Sequence, residues 1–173
     1  MPQYMLGPWH DFYMLVGTAA ATLVGLMFVA ASVGTGVFTH ERQVGLRTFL
    51  SPTVVAFSGV LATSLIGVLP VFGWGLPGLL LIGIGVLGAV YSWRVWRRMV
   101  HGGIATSIDL EDRIWYTVVP AVAYLVTAAA GAALGAEPAA ACAMLAVGTC
   151  LLLLAGIRNA WDMTTWIVLR RRE

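Results

Sequence analysis

The chain has 173 residues, 60% hydrophobic and only 10% charged, with a formal net charge of +2 at pH 7 and a mean hydropathy of +0.87. Soluble domains carry about 25% charged residues, so this composition excludes a water-soluble globule and places the chain in a membrane. At this length there is room for about five crossings and none for a separate soluble catalytic domain. The cationic charge is all Arg, without Lys, which with the abundant Ala and Gly points to a GC-rich bacterial genome.

Between residues 12 and 37, 49 and 93, and 114 and 157 the one Asp, Glu, Arg, Lys or His is Glu137. The first run, 12–37, follows Asp11 and no positive charge and is too long for a signal-peptide core, so it reads as a membrane helix. A second helix is expected over 49–72. Gly73-Trp74-Gly75-Leu76-Pro77-Gly78 has turn chemistry and divides the long second run, giving a third helix over 76–98. Gly135-Ala136-Glu137-Pro138 divides the last run into helices over 114–134 and 139–158, followed by a cytoplasmic or interfacial segment, 159–173. The expected fold is a single all-α domain, a bundle of five transmembrane helices.

Arginine orients that bundle. Arg42 and Arg47 follow helix one, Arg94, Arg97, Arg98 and Arg113 flank the third loop, and Arg158 with Arg170, Arg171 and Arg172 follow helix five. All ten fall on one side, which the positive-inside bias makes cytoplasmic, with the amino terminus outside and the carboxyl terminus inside a bacterial inner membrane. Tryptophan, which prefers the headgroup level, agrees: Trp9 and Trp74 lie at the outer side, the other five at the inner, and none mid-helix. A constant offset of 64 aligns Thr53 with Thr117, Leu61 with Leu125, Thr63 with Thr127, Gly67 with Gly131 and Arg94 with Arg158. A tandem duplication of a helical hairpin would produce this, and so would chance among apolar segments.

Several residues are candidates for function. Gly17, Ala21 and Gly25 form a small-residue stripe on helix one, beside Thr18 and Thr22, of the kind that lets another backbone approach in lipid. Helix three has Gly85 and Ala89 on one face and Gly88 and Ser92 on the next. Thr63 and Thr127 are candidates for a polar pathway, and Pro120 for a kink. Arg94, Arg158, Arg170, Arg171 and Arg172 are candidates for binding anionic headgroups. In Trp9-His10-Asp11 the acid suits the first turn of a helix, and adjacent helical residues are not expected to face each other. Thr106 and Asp109 are spaced as a capping box, and the acids around them are positioned to meet Arg97, Arg98 or the terminal Arg cluster. Cys142 and Cys150, roughly 12 Å apart by helical rise, read as free core thiols. No metal, cofactor or nucleic acid is expected.

The opening Trp9-His10-Asp11-Phe12-Tyr13 and the run from Ala19 through Val29 resemble small bacterial integral membrane proteins sometimes labelled modulators of the FtsH protease. The likeness covers about 20 residues and brings no functional residues with it. It implies a regulatory membrane partner rather than an enzyme. Residues and resemblance together favour a non-enzymatic membrane protein that contacts lipid and associates with itself or another membrane protein. The alternative is a small channel or transporter for a neutral or lipidic solute.

Overall fold

A backbone in lipid must satisfy its own hydrogen bonds, and these apolar runs do so as helices. A computed structural model describes residues 9–34, 40–70, 73–101 and 110–169. Helix α1 spans His10–Gly34, α2 His40–Val68 and α3 Gly75–His101. A short α4, Leu110–Arg113, continues through a π-helical turn, Ile114–Val118, into α5, Val119–Ala133, and α6 spans Pro138–Leu169. The result is five helical rods, with no strand among the described residues. Four contain segments long and apolar enough to cross a membrane: His10–Ala30, Gly75–Val100, Ile114–Ala133 and Pro138–Asp162. The apolar part of α2, Pro52–Val68, is shorter. By helix length and composition this is an integral membrane protein.

The second expected turn is present, and at the first α3 begins at Gly75, one residue before the expected start. The N–H groups of Ala136 and Glu137 both bond to the Ala133 carbonyl, at 3.1 and 2.8 Å, closing α5. Pro138 then opens α6, a position where its missing donor leaves nothing unsatisfied. The helices run further than expected at the opposite end: α2 begins at His40 and α6 continues to Leu169. Hydropathy marks where a chain leaves lipid, and a helix is free to continue past that point.

The rods pack in the spatial order α1, α2, α6, α5, α3, the α3–α5 contact being the most extensive and α2–α3 slight. At the end carrying the two turns, Tyr13, Ile66, Leu81, Leu134 and Leu145 bring all five rods together. A middle layer joins Val16, Ala20, Val60, Tyr124 and Leu152, and at the arginine-bearing end Val95, Met99 and Tyr116 form a small third cluster. The two hairpins are packed differently, since α5 and α6 lie along each other whereas α2 and α3 barely touch.

Aromatic rings seated on glycine hold the middle of the bundle. Tyr13 lies on Gly67, where a Cβ would stand 2.8 Å from its ring, and Phe57 lies on Gly156, where the distance would be 2.5 Å. Tyr124 of α5 enters between α2 and α3: a Cβ at Gly59 would stand 2.6 Å from its hydroxyl oxygen, and one at Gly88 would fall within its ring. The Tyr124 hydroxyl donates to the Val55 carbonyl at 2.9 Å. Further along, Gly78 and Gly131 let the backbones of α3 and α5 meet, each added Cβ falling 2.7 to 2.8 Å from the other residue's carbonyl oxygen. Gly78 and Gly85 of α3 are thus explained by dispersion packing between close backbones, and Gly88 by the Tyr124 ring.

On α1 the stripe divides between two surroundings. Gly17 does lie in the seam, where a Cβ would stand 2.9 Å from Cβ of Ser64. Ala21 and Gly25 are exposed, and a Cβ at Gly25 would meet nothing within 4 Å. The buried face is Tyr13, Val16, Gly17, Ala20 and Met27. The reason is helical pitch: each step of four residues overshoots a full turn by about 40°, so Gly25 has rotated roughly 80° from Gly17 and out of the seam.

Candidate functional site

Polar side chains collect where the arginine-bearing ends of α4, the π turn and α6 meet. The Arg158 guanidinium contacts Glu111 Oε1 at 2.9 Å. Its Nε stands 3.7 Å from Asp162 Oδ2, an ion pair too long for a hydrogen bond. Its Cζ lies 5.1 Å from the centre of the Trp115 ring, within cation–π range. Glu111 therefore pairs with Arg158. Arg158, expected at lipid headgroups, has its charge matched within the protein. Arg94 is exposed near the end of α3. Arg170, Arg171 and Arg172, and the Thr106–Asp109 capping box, lie outside the described residues.

Beneath this ion cluster lies a backbone feature invisible to hydropathy. In the π turn the Val119 N–H bonds to the Ile114 carbonyl, five residues back. The next carbonyl in that register, Trp115, would need the N–H of residue 120, and residue 120 is proline. Asn159 supplies the donor: its Nδ2 reaches the Trp115 carbonyl at 3.4 Å, and the Tyr116 hydroxyl donates to the Asn159 carbonyl at 3.2 Å. Asn159 is 1% exposed. Pro120 and Asn159 thus form one unit, joining the π turn to α6 across more than thirty residues of sequence. Each residue was visible in the sequence, but no local signal linked them.

The remaining candidates are not brought together with this cluster. Thr63 and Thr127 are fully buried, and each turns its hydroxyl onto a carbonyl of its own helix, Gly59 for Thr63 and Ala123 for Thr127, both at 2.9 Å. They sit at interhelical contacts; a Cβ at Gly148 would stand 3.1 Å from Thr127 Oγ1. His10 and Asp11 do touch, Nδ1 to Oδ1 at 3.2 Å, at the exposed start of α1. Cys142 and Cys150 are free, as read from their spacing.

The cluster neutralises one cation with two carboxylates and an aromatic face, and it satisfies one carbonyl. It holds α4 and the π turn against α6. No family model, curated protein or solved structure matches the chain.

Proposed function

We propose that this chain is a non-enzymatic bacterial inner-membrane protein, amino terminus outside, that acts by associating with itself or by modulating another membrane protein. The observation that carries the reading is the uncovered face of α1. Thr18, Ala21, Thr22 and Gly25 are all exposed along it, with their neighbours Leu15, Leu26 and Val29 more than half exposed. The Thr18 and Thr22 hydroxyls bond to carbonyls one turn back, at 2.7 and 2.9 Å, so the face presents methyl groups and small residues with no unmet donor. Lipid offers no less apolar contact than a helix does; small residues favour a helix because they admit a second backbone. The likeness of the opening residues to modulators of the FtsH protease points the same way. The channel alternative draws less support, since Thr63 and Thr127 are fully buried and their hydroxyls donate within their own helices.

Gly25→Leu is the decisive variant, because among the described residues nothing lies within 4 Å of a side chain begun at that position. Its thermal stability in detergent is expected to match the wild type while the protein mass per particle falls to one chain. An unchanged oligomer, or a wild type that is already monomeric in native lipid and captures no membrane protein, overturns the reading. Orientation is read separately by topology reporters, expected outside when fused at Gly75 or Glu137 and inside at Glu173; an outside signal at Glu173 contradicts it.

A further inference from the structure

A π turn holds one residue more than the α-helix around it, so the rod before it has a second arrangement one residue away. In the π turn the Val119 N–H bonds to the Ile114 carbonyl. In α register it would bond to the carbonyl of Trp115, four residues back. With α5 held in place, that exchange turns α4 by about 100° and moves it by roughly 1.5 Å along its axis. Each residue before the turn then comes to the place of the one preceding it.

We propose that α4 and the π turn form a two-position register switch, which α6 latches in either position. Three contacts made by Arg158 and Asn159 find an equivalent partner after the step. Arg158 contacts the Glu111 carboxylate, and the next residue, 112, is an aspartate. The same guanidinium lies over the Trp115 ring, and the next residue, Tyr116, is again aromatic. Asn159 Nδ2 reaches the Trp115 carbonyl, which Pro120 leaves without a donor in π register. In α register the carbonyl without a donor is that of Tyr116, because its partner would be the same residue 120. Pro120 thus fixes where the unserved carbonyl stands, whichever residue carries it, and Asn159 meets it in both positions. A fixed contact needs one acid and one ring, and here two of each stand side by side in sequence.

The two positions differ at Tyr116. In π register its hydroxyl donates to the Asn159 carbonyl at 3.2 Å, and its ring packs with Val95 and Met99. Thr117, which would take its place, is too short for either contact. The π position is accordingly the resting one, and α register is reached when the acid at 111 gives way to the acid at 112. Glu111 is 65% exposed, so water and ions compete for it. The step changes the face that α4 turns outward at the arginine-bearing end. The proposal is independent of the α1 face.

The test uses the full chain with ketone-bearing amino acids at Leu110 on α4 and at Val147, which is 56% exposed on α6. Each carries a nitroxide, so Cys142 and Cys150 stay unchanged. Electron–electron distance measurements in detergent are expected to show one main separation in the wild type. Pro120→Ala, which lets the rod satisfy its own carbonyls in α register, is expected to move the population to a second separation several ångström away. Glu111→Gln leaves residue 112 as the one acid of the pair and is expected to raise the second population about threefold, the effect of one exposed ion pair. Adding Asp112→Asn to Glu111→Gln is expected to return it to near the wild-type level. If Pro120→Ala does not fold, the Glu111→Gln arm decides alone. One separation shared by the wild type and every folded variant overturns the switch, and a Glu111→Gln shift that survives Asp112→Asn overturns the exchange of acids that latches it.

Discussion

Truncating Tyr124 to Ala is expected to be the most damaging single change in the bundle, costing about 3 to 5 kcal/mol, the range for a large buried aromatic. The side chain is 2% exposed and joins three rods, with Gly59 of α2 and Gly88 of α3 shaped around it. Removing it leaves a cavity lined by glycines, which have no side chains with which to collapse. Two companions separate the ring from its hydroxyl. Tyr124→Phe loses only the bond to the Val55 carbonyl and is expected to cost on the order of 0.6 kcal/mol, the average for such bonds between membrane helices. Gly88→Ala, whose new methyl falls within the ring, is expected to cost about 1 to 3 kcal/mol by overpacking. Reversible unfolding in mixed micelles measures all three. A Tyr124→Ala variant within 1 kcal/mol of the wild type contradicts the packing described.

The second large effect concerns Asn159. Replacing it with Leu leaves the Trp115 carbonyl buried without its donor, a loss of about 1 to 3 kcal/mol. Loss of the Asn159 Oδ1, which has no hydrogen-bond partner among the described residues, offsets part of this. Coupling to residue 120 makes the prediction specific. Pro120→Ala restores a backbone N–H, so the rod can satisfy the carbonyls of residues 115 and 116 itself and return from π to α register. In that background Asn159→Leu is expected to be nearly neutral, giving a coupling energy of at least about 0.5 kcal/mol in a double-mutant cycle. Strictly additive costs would show that Asn159 does not serve the gap left by the proline.

These two units differ in how far the sequence reveals them. The spans and both turns are readable because the solvent dictates them: lipid admits long uncharged helices, and Gly135 to Pro138 interrupts one. The ends of α2 and α6 are not readable, because helix continues beyond the lipid boundary without any change that hydropathy records. The contact face of α1 is hidden for a different reason. Lipid is as apolar as a neighbouring helix, so Met27, buried against the bundle, and Leu26, exposed beside it, look alike. Small residues mark the places where backbones can approach but not which approach the chain makes by itself. Gly17 is used inside the bundle and Gly25 is left outside it. The partnership of Pro120 with Asn159 is unreadable because it pairs a missing donor with a side chain on another helix.

Photo-cross-linking from α1 in native membranes tests the central claim most directly. A photoreactive amino acid at Ala21 or Gly25, on the uncovered face, is expected to give a protein adduct, either a dimer of this chain or a discrete complex with another membrane protein. The same group at Ala20 or Met27, on the buried face, is expected to give only cross-links within the chain. Lipid adducts alone at both Ala21 and Gly25 would contradict the account, because that face of α1 would then meet nothing but the bilayer.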